Sequence, residues 1–101
     1  AYLGRVFERV AREYVQDVYK VRAERLWFRD IEIDVYGNGI VGECKWNEGV
    51  DGVEVLQELK GKAEALGLEA KKYVIFAKSF SRVNDEAEFV DLKRLEEWYN
   101  A

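Results

Sequence analysis

The stretch from Ile31 to Trp46 turns back on a single pair of residues. Ile31, Ile33 and Val35 alternate with Glu32, Asp34 and Tyr36, the period-two pattern of a half-buried strand. Gly37-Asn38-Gly39 follows, and an Asn-Gly pair suits a tight hairpin because both central residues of a type I′ turn need positive φ. A second strand over Ile40 to Trp46 then returns antiparallel. With a two-residue loop, Gly37 pairs with Ile40, and counting outward sets Asp34 opposite Glu43 and Glu32 opposite Lys45. The pairs are two residues apart, so all four side chains are expected on one face.

Two acids facing each other across a ladder have Cβ atoms only about 5 Å apart and destabilise the sheet unless something compensates. A divalent cation would do so, because hard carboxylate oxygens from two strands can converge on one Mg²⁺ while water fills the other positions. Lys45, on the same face as Glu43, could orient or deprotonate a metal-bound water or hold a phosphate oxygen. The plainer alternative is a solvated face, with Glu32 and Lys45 forming a surface pair worth at most about 1 kcal/mol. Acids in the middle of a β-rich segment run against propensity, and a local rule broken inside a fold marks a candidate site.

The remaining pattern frames this hairpin. Leu3, Val6, Phe7, Val10, Ala11, Tyr14, Val15 and Val18 recur at helical spacing, which predicts a helix over Leu3 to Tyr19. Asp51 with Glu54 reads as a capping box that opens a second helix to about Leu66, with Gly67 as its stop. Tyr73 to Ala77 is a continuous apolar run, as expected of a strand covered on both faces. Glu88 to Val90 suits a short edge strand, and Asp91 can cap a last helix that turns Leu92, Leu95 and Trp98 inward. The expected fold is α/β, αββαβ(β)α, with a central mixed sheet flanked by helices. The segment around Leu26, Trp27 and Phe28 stays unassigned.

Composition narrows the chemistry. The 101 residues are 49% hydrophobic, enough for one domain with a real core. There is no methionine, and helical spacing starts at the first residues, so the chain is expected to be a domain excised from a longer protein. No apolar stretch approaches the roughly 20 residues of a membrane helix, and a cytoplasmic location is expected. With one cysteine and no histidine, neither a Cys/His zinc site nor a histidine triad can be built. Any metal must be held by oxygen, which points to Mg²⁺ or Mn²⁺. The net charge of -4 argues against strong stand-alone DNA binding. It leaves room for a nuclease, because a cation-binding carboxylate cluster is itself acidic.

The stretch Glu32-Ile-Asp-Val, with Gly-Glu-Cys-Lys-Trp up to Trp46, resembles the core motif of PD-(D/E)XK phosphodiesterases, whose fold is restriction-endonuclease-like. It is more closely similar to the C-terminal domain of archaeal DEXX-box ATPases, and this resemblance alone implies that the chain comes from the C-terminal part of the longer protein. The opening Leu3-Gly-Arg-Val-Phe-Glu and the closing Phe89-Val-Asp-Leu-Lys-Arg-Leu fit the same pattern. The resemblance implies Mg²⁺ or Mn²⁺ ligation by Asp34, Glu43 and the backbone carbonyl of Cys44, with assistance from Lys45. It adds lesser roles for Glu8 on the first helix and for Gln57, while Glu32 is a lesser candidate from the hairpin register alone. Glu8 reads equally well as a solvated acid paired with Arg12 one turn on. Some relatives follow the glutamine with a tyrosine four residues later, where this chain has Gly61, and Ile33 stands where the family has proline. The partners implied are DNA, an upstream ATPase domain and a second copy of the chain.

The Cys44 thiol points away from Glu43 and reads as a small core residue. Trp27 and Trp46 could stack bases, although aromatic residues beside a hairpin more often cover core. Lys71, Lys72 and Lys78 could follow a phosphate backbone or simply guard a hydrophobic strand. Three functions compete: a Mg²⁺- or Mn²⁺-dependent nuclease, a silent interaction domain docked on an ATPase, and a DNA-binding module without cleavage.

Overall fold

In a computed structural model, residues 2–101 are described. The chain runs α1 (Tyr2–Tyr19), β1 (Glu24–Phe28), β2 (Ile31–Gly37), β3 (Ile40–Lys45), β4 (Val50–Asp51), α2 (Gly52–Ala65), β5 (Lys72–Ala77), β6 (Phe80–Arg82), β7 (Glu88–Val90) and α3 (Leu92–Tyr99). The main sheet has the order β1-β2-β3-β5-β7. Its β1-β2 and β2-β3 pairs are antiparallel, whereas β3-β5 and β5-β7 are parallel. β4 and β6 form a separate two-stranded parallel sheet. The fold is α/β with a mixed five-stranded sheet and three helices.

Helices cover both faces of the sheet. On one face Phe7, Ala11, Tyr14 and Val15 of α1 and Leu95 of α3 pack on Val35, Ile40, Val74, Phe76 and Val90. On the other, Val55, Leu56 and Leu59 of α2 pack on Ile33, Val41 and Ile75. Side chains of this size contribute about 1.5–3 kcal/mol each when fully buried. β5 sends Val74 and Phe76 to the α1 face and Ile75 to the α2 face, which is why its sequence is apolar without alternation.

Local signals act where the sequence places them. Asn38 and Gly39 have φ of 48° and 86°, the two positive values a type I′ turn requires, and Gly37 pairs with Ile40. The Asp51 carboxylate accepts the amides of Val53 and Glu54, and that of Asp91 accepts the Arg94 amide, so each satisfies amide groups at a helix start. At the far end of α2 the amides of Gly67 and Leu68 donate to the carbonyls of Glu64 and Ala63. With Gly67 at φ 67°, this is a Schellman stop. Tyr14 donates to Glu88 at 2.6 Å, and Tyr19 and Arg94 reach the same carboxylate, so α1, β7 and α3 meet at one acid. Burial and Glu88 together push the Tyr14 hydroxyl up to about 12.

β1 was not legible because it is an outer strand with Trp27 and Phe28 largely exposed, so it carries no burial pattern. It also alters β2. Glu24 pairs with Tyr36 but Leu26 pairs with Ile33: two steps on β1 match three on β2, a bulge that holds one extra residue at Asp34-Val35. The expected strict alternation fails there. Ile33 lies on the α2 face and Val35 on the α1 face, because an added residue reverses the facing of every side chain beyond it.

Candidate functional site

The β2-β3 ladder keeps the register set by the Asn38-Gly39 turn through Tyr36-Val41 and Val35-Gly42. Beyond that rung the strands take other partners. β2 continues along β1 through Ile33, Glu32 and Ile31, and β3 continues along β5 through Glu43, Cys44 and Lys45. Asp34 sits at this fork, on the bulge, and its Oδ2 accepts the Cys44 amide at 2.9 Å. A side chain thus takes the backbone donor that a regular rung would have used. From α1, Arg12 donates to the Asp34 carbonyl at 3.0 Å and holds the bulged backbone from the other side.

Glu43 faces α2. Its Oε2 accepts from Lys62 at 3.0 Å and lies 4.0 Å from the Lys45 ammonium. Its Oε1 is buried and has no hydrogen-bond partner. Among the described residues, Asp34 and Glu43 are the buried charged ones, at 8% and 7% exposure, where an unpaired carboxylate oxygen is costly. Burial raises both carboxyls above the usual range. For Glu43 the charge of Asp34 is the next largest cause, so the two acids do share one local field. Lys62 is the residue sequence reasoning missed. Its place ten residues into a helix that also carries Lys60 offered no signal, and only the packing of α2 on the sheet brings it to Glu43.

The other expected residues divide. Lys45 lies beside Glu43 on its face. The Cys44 thiol packs among the α1-side core residues, and burial pushes it well above its ordinary range, which suits a core residue rather than a nucleophile. Glu32 does not join Lys45. The bulge turns it to the α1 face, where it pairs with Arg25 at 2.8 Å, and its carbonyl accepts from Lys62 at 3.0 Å. Glu8 does not pair with Arg12, whose guanidinium is engaged at the Asp34 carbonyl. Burial first and the Asp34 charge second raise the Glu8 carboxyl. Gln57 is exposed on α2 and makes no hydrogen bond to either buried carboxylate. Trp46 covers core, 4.9 Å from the Phe7 ring and with the Lys78 ammonium 4.3 Å from its own, whereas Trp27 is 62% exposed.

The donor set fits a hard divalent cation. It offers two buried carboxylates from neighbouring strands, one oxygen without a partner and the Cys44 backbone alongside. Among the described residues no group of three or more His, Cys, Asp or Glu side chains is placed to hold a metal, so water would have to complete the coordination. Compared with family models, with curated proteins and with solved structures, the chain matches none. Among the described residues, no helix is long and apolar enough to cross a membrane.

Proposed function

We propose that the chain is a PD-(D/E)XK-type phosphodiesterase domain that hydrolyses DNA with Mg²⁺ or Mn²⁺. The observation that carries the reading is the partnerless Glu43 Oε1 beside Asp34 in a buried site. The mutual repulsion of the two acids is offset only in part, by Lys62 at 3.0 Å and Lys45 at 4.0 Å from Glu43. Asp34 and Glu43, with the Cys44 carbonyl, would hold the cation, which when bound supplies a more acidic water and neutralises phosphate charge. Lys45 would then orient the attacking water or stabilise charge on the phosphoryl oxygens, and Lys62 would keep Glu43 in its ionised form. An upstream ATPase domain and self-association belong to the same proposal, as sources of the DNA affinity that an acidic domain lacks.

One observation favours a second reading. Lys62 already places an ammonium 3.0 Å from Glu43, as it would in a domain that has exchanged its metal for an internal cation and serves to dock a partner. Cleavage of single-stranded, duplex and branched DNA with Mn²⁺ at low salt separates the two. The nuclease shows metal-dependent products that fall about 10²-fold or more in Lys45→Ala while cation binding persists. Absence of cleavage by this domain and by its full-length parent leaves the docking module.

A further inference from the structure

The α1 face next to the buried acids carries a second set of groups that the hydrolytic step does not use. Trp27 stands directly across from Glu32 in the β1-β2 ladder and is 62% exposed. The Arg25 guanidinium lies 5.1 Å from its ring centroid while pairing with Glu32 at 2.8 Å, so Glu32 holds the arginine against the ring. Beside them Gly4, Arg5, Glu8, Arg25 and Glu32 line a polar hollow of about 250 Å³. Glu32 of its lining stands two residues from Asp34 on β2, and Arg12, one turn on from Glu8, reaches the Asp34 carbonyl at 3.0 Å, so the hollow adjoins the buried acids. Charge is also segregated along the chain: six of its eight arginines lie in the first 29 residues, which supply α1 and β1, although the whole chain is at -4.

We propose that this face is the path of an unpaired nucleic-acid strand, with a base stacked on Trp27 and the adjoining phosphate held by Arg5 and Arg25. The inference rests on the nuclease reading for where the strand leads, namely to Asp34 and Glu43, but strand binding itself requires no cleavage. An outward-facing indole offers its surface to any base with a free face, whereas the bases of a duplex are covered on both sides. The two arginines supply the anion contacts, and a guanidinium already stacked on the ring leaves little side-chain freedom to lose. Single-stranded ends or gaps, rather than continuous duplex, are therefore the substrate class.

The test measures fluorescence anisotropy of labelled oligothymidylate and of the same strand annealed to oligoadenylate, at low salt in EDTA, where no metal-dependent cleavage can occur. The single strand should bind more tightly than the duplex and quench tryptophan emission. Trp27→Ala should weaken it about tenfold, Trp27→Phe should keep most of the affinity, and Arg5→Ala should flatten the salt dependence. Lys72→Ala, exposed at the far end of β5, should change affinity less than twofold. Far-UV circular dichroism checks that each variant is folded. Equal affinity of wild type and folded Trp27→Ala overturns the proposal, as does tighter binding of the duplex or no binding of either DNA. Cleavage distinguishes the two levels. Trp27-dependent binding without Mn²⁺-dependent products means that the nuclease reading fails and this one stands. Products formed equally well by wild type and Trp27→Ala from single strands mean the reverse.

Discussion

The Lys62 ammonium lies 3.0 Å from Glu43 Oε2, so a carboxylate proposed to take a divalent cation already holds a monovalent one. A metal entering the site must share Glu43 with Lys62, and the two cations repel. Lys62→Met should therefore bind Mn²⁺ about tenfold more tightly, or better. Without metal the same variant should lose about 1 kcal/mol of stability, the modest value reflecting a lysine side chain that is one-third exposed. Titration calorimetry reads the first effect and chemical denaturation in EDTA the second. Weaker Mn²⁺ binding in Lys62→Met would show that the lysine supports the metal rather than competing with it.

Mn²⁺ should raise the melting temperature of the wild-type chain, because a ligand that binds only the folded state stabilises it. Asp34→Asn and Glu43→Gln should each remove most of that increment. A rise that survives in both variants places the cation elsewhere.

The pH dependence has a definite sign. Burial raises the carboxyls of Asp34 and Glu43 above their unfolded values, so the folded state holds these protons more tightly than the unfolded one. Their stabilising contribution is complete below the ordinary carboxylate range and is lost as pH rises through the raised values. In EDTA, Asp34→Asn, which can still accept the Cys44 amide, should melt higher than wild type at neutral pH, by ~4 °C. The advantage should shrink as pH falls toward 4 and the wild-type acid takes up its proton. A gap that stays constant across this range would assign the effect to packing instead of charge.

Two glycines should respond oppositely to alanine. At Gly37 an added Cβ would lie 1.8 Å from the Arg22 carbonyl oxygen, a backbone clash that cannot relax cheaply, and Gly37→Ala should cost about 3 kcal/mol or more. At Gly61, inside α2, nothing lies within 4 Å of the added carbon. Gly61→Ala should stabilise by about 0.5–1 kcal/mol through helix propensity. Urea denaturation of both variants checks the pair.

Much of this arrangement could be read from the chain, and the omissions have physical causes. The Asn38-Gly39 turn, the caps at Asp51 and Asp91, the stop at Gly67 and the buried run in β5 are local signals, set by the φ, hydrogen-bond and burial demands of a few neighbouring residues. The turn register set Asp34 opposite Glu43, but the ladder ends one rung earlier at Val35-Gly42, and the Asp34 carboxylate accepts the Cys44 amide instead. What the hairpin pattern could not contain was a third strand. β1 pairs along the outer edge of β2 and forces the bulge, which turns Glu32 away from Lys45 and toward Arg25. Lys62 was invisible for a related reason. No spacing within α2 distinguishes it from Lys60, which instead meets Glu86 at 2.5 Å, and only tertiary packing decides which lysine reaches the acid.

The extra residue of β2 makes the centre depend on the counting of the chain as much as on its letters. Removing Val35 would leave Asp34, Glu43, Lys45 and Lys62 all present, and a motif search would still find its pattern. With the bulge closed, unbroken alternation would keep Ile33 under α2 and commit Asp34 to the α1 side, across the sheet from Glu43. A one-codon deletion could thus silence the site while every residue assigned to it is retained.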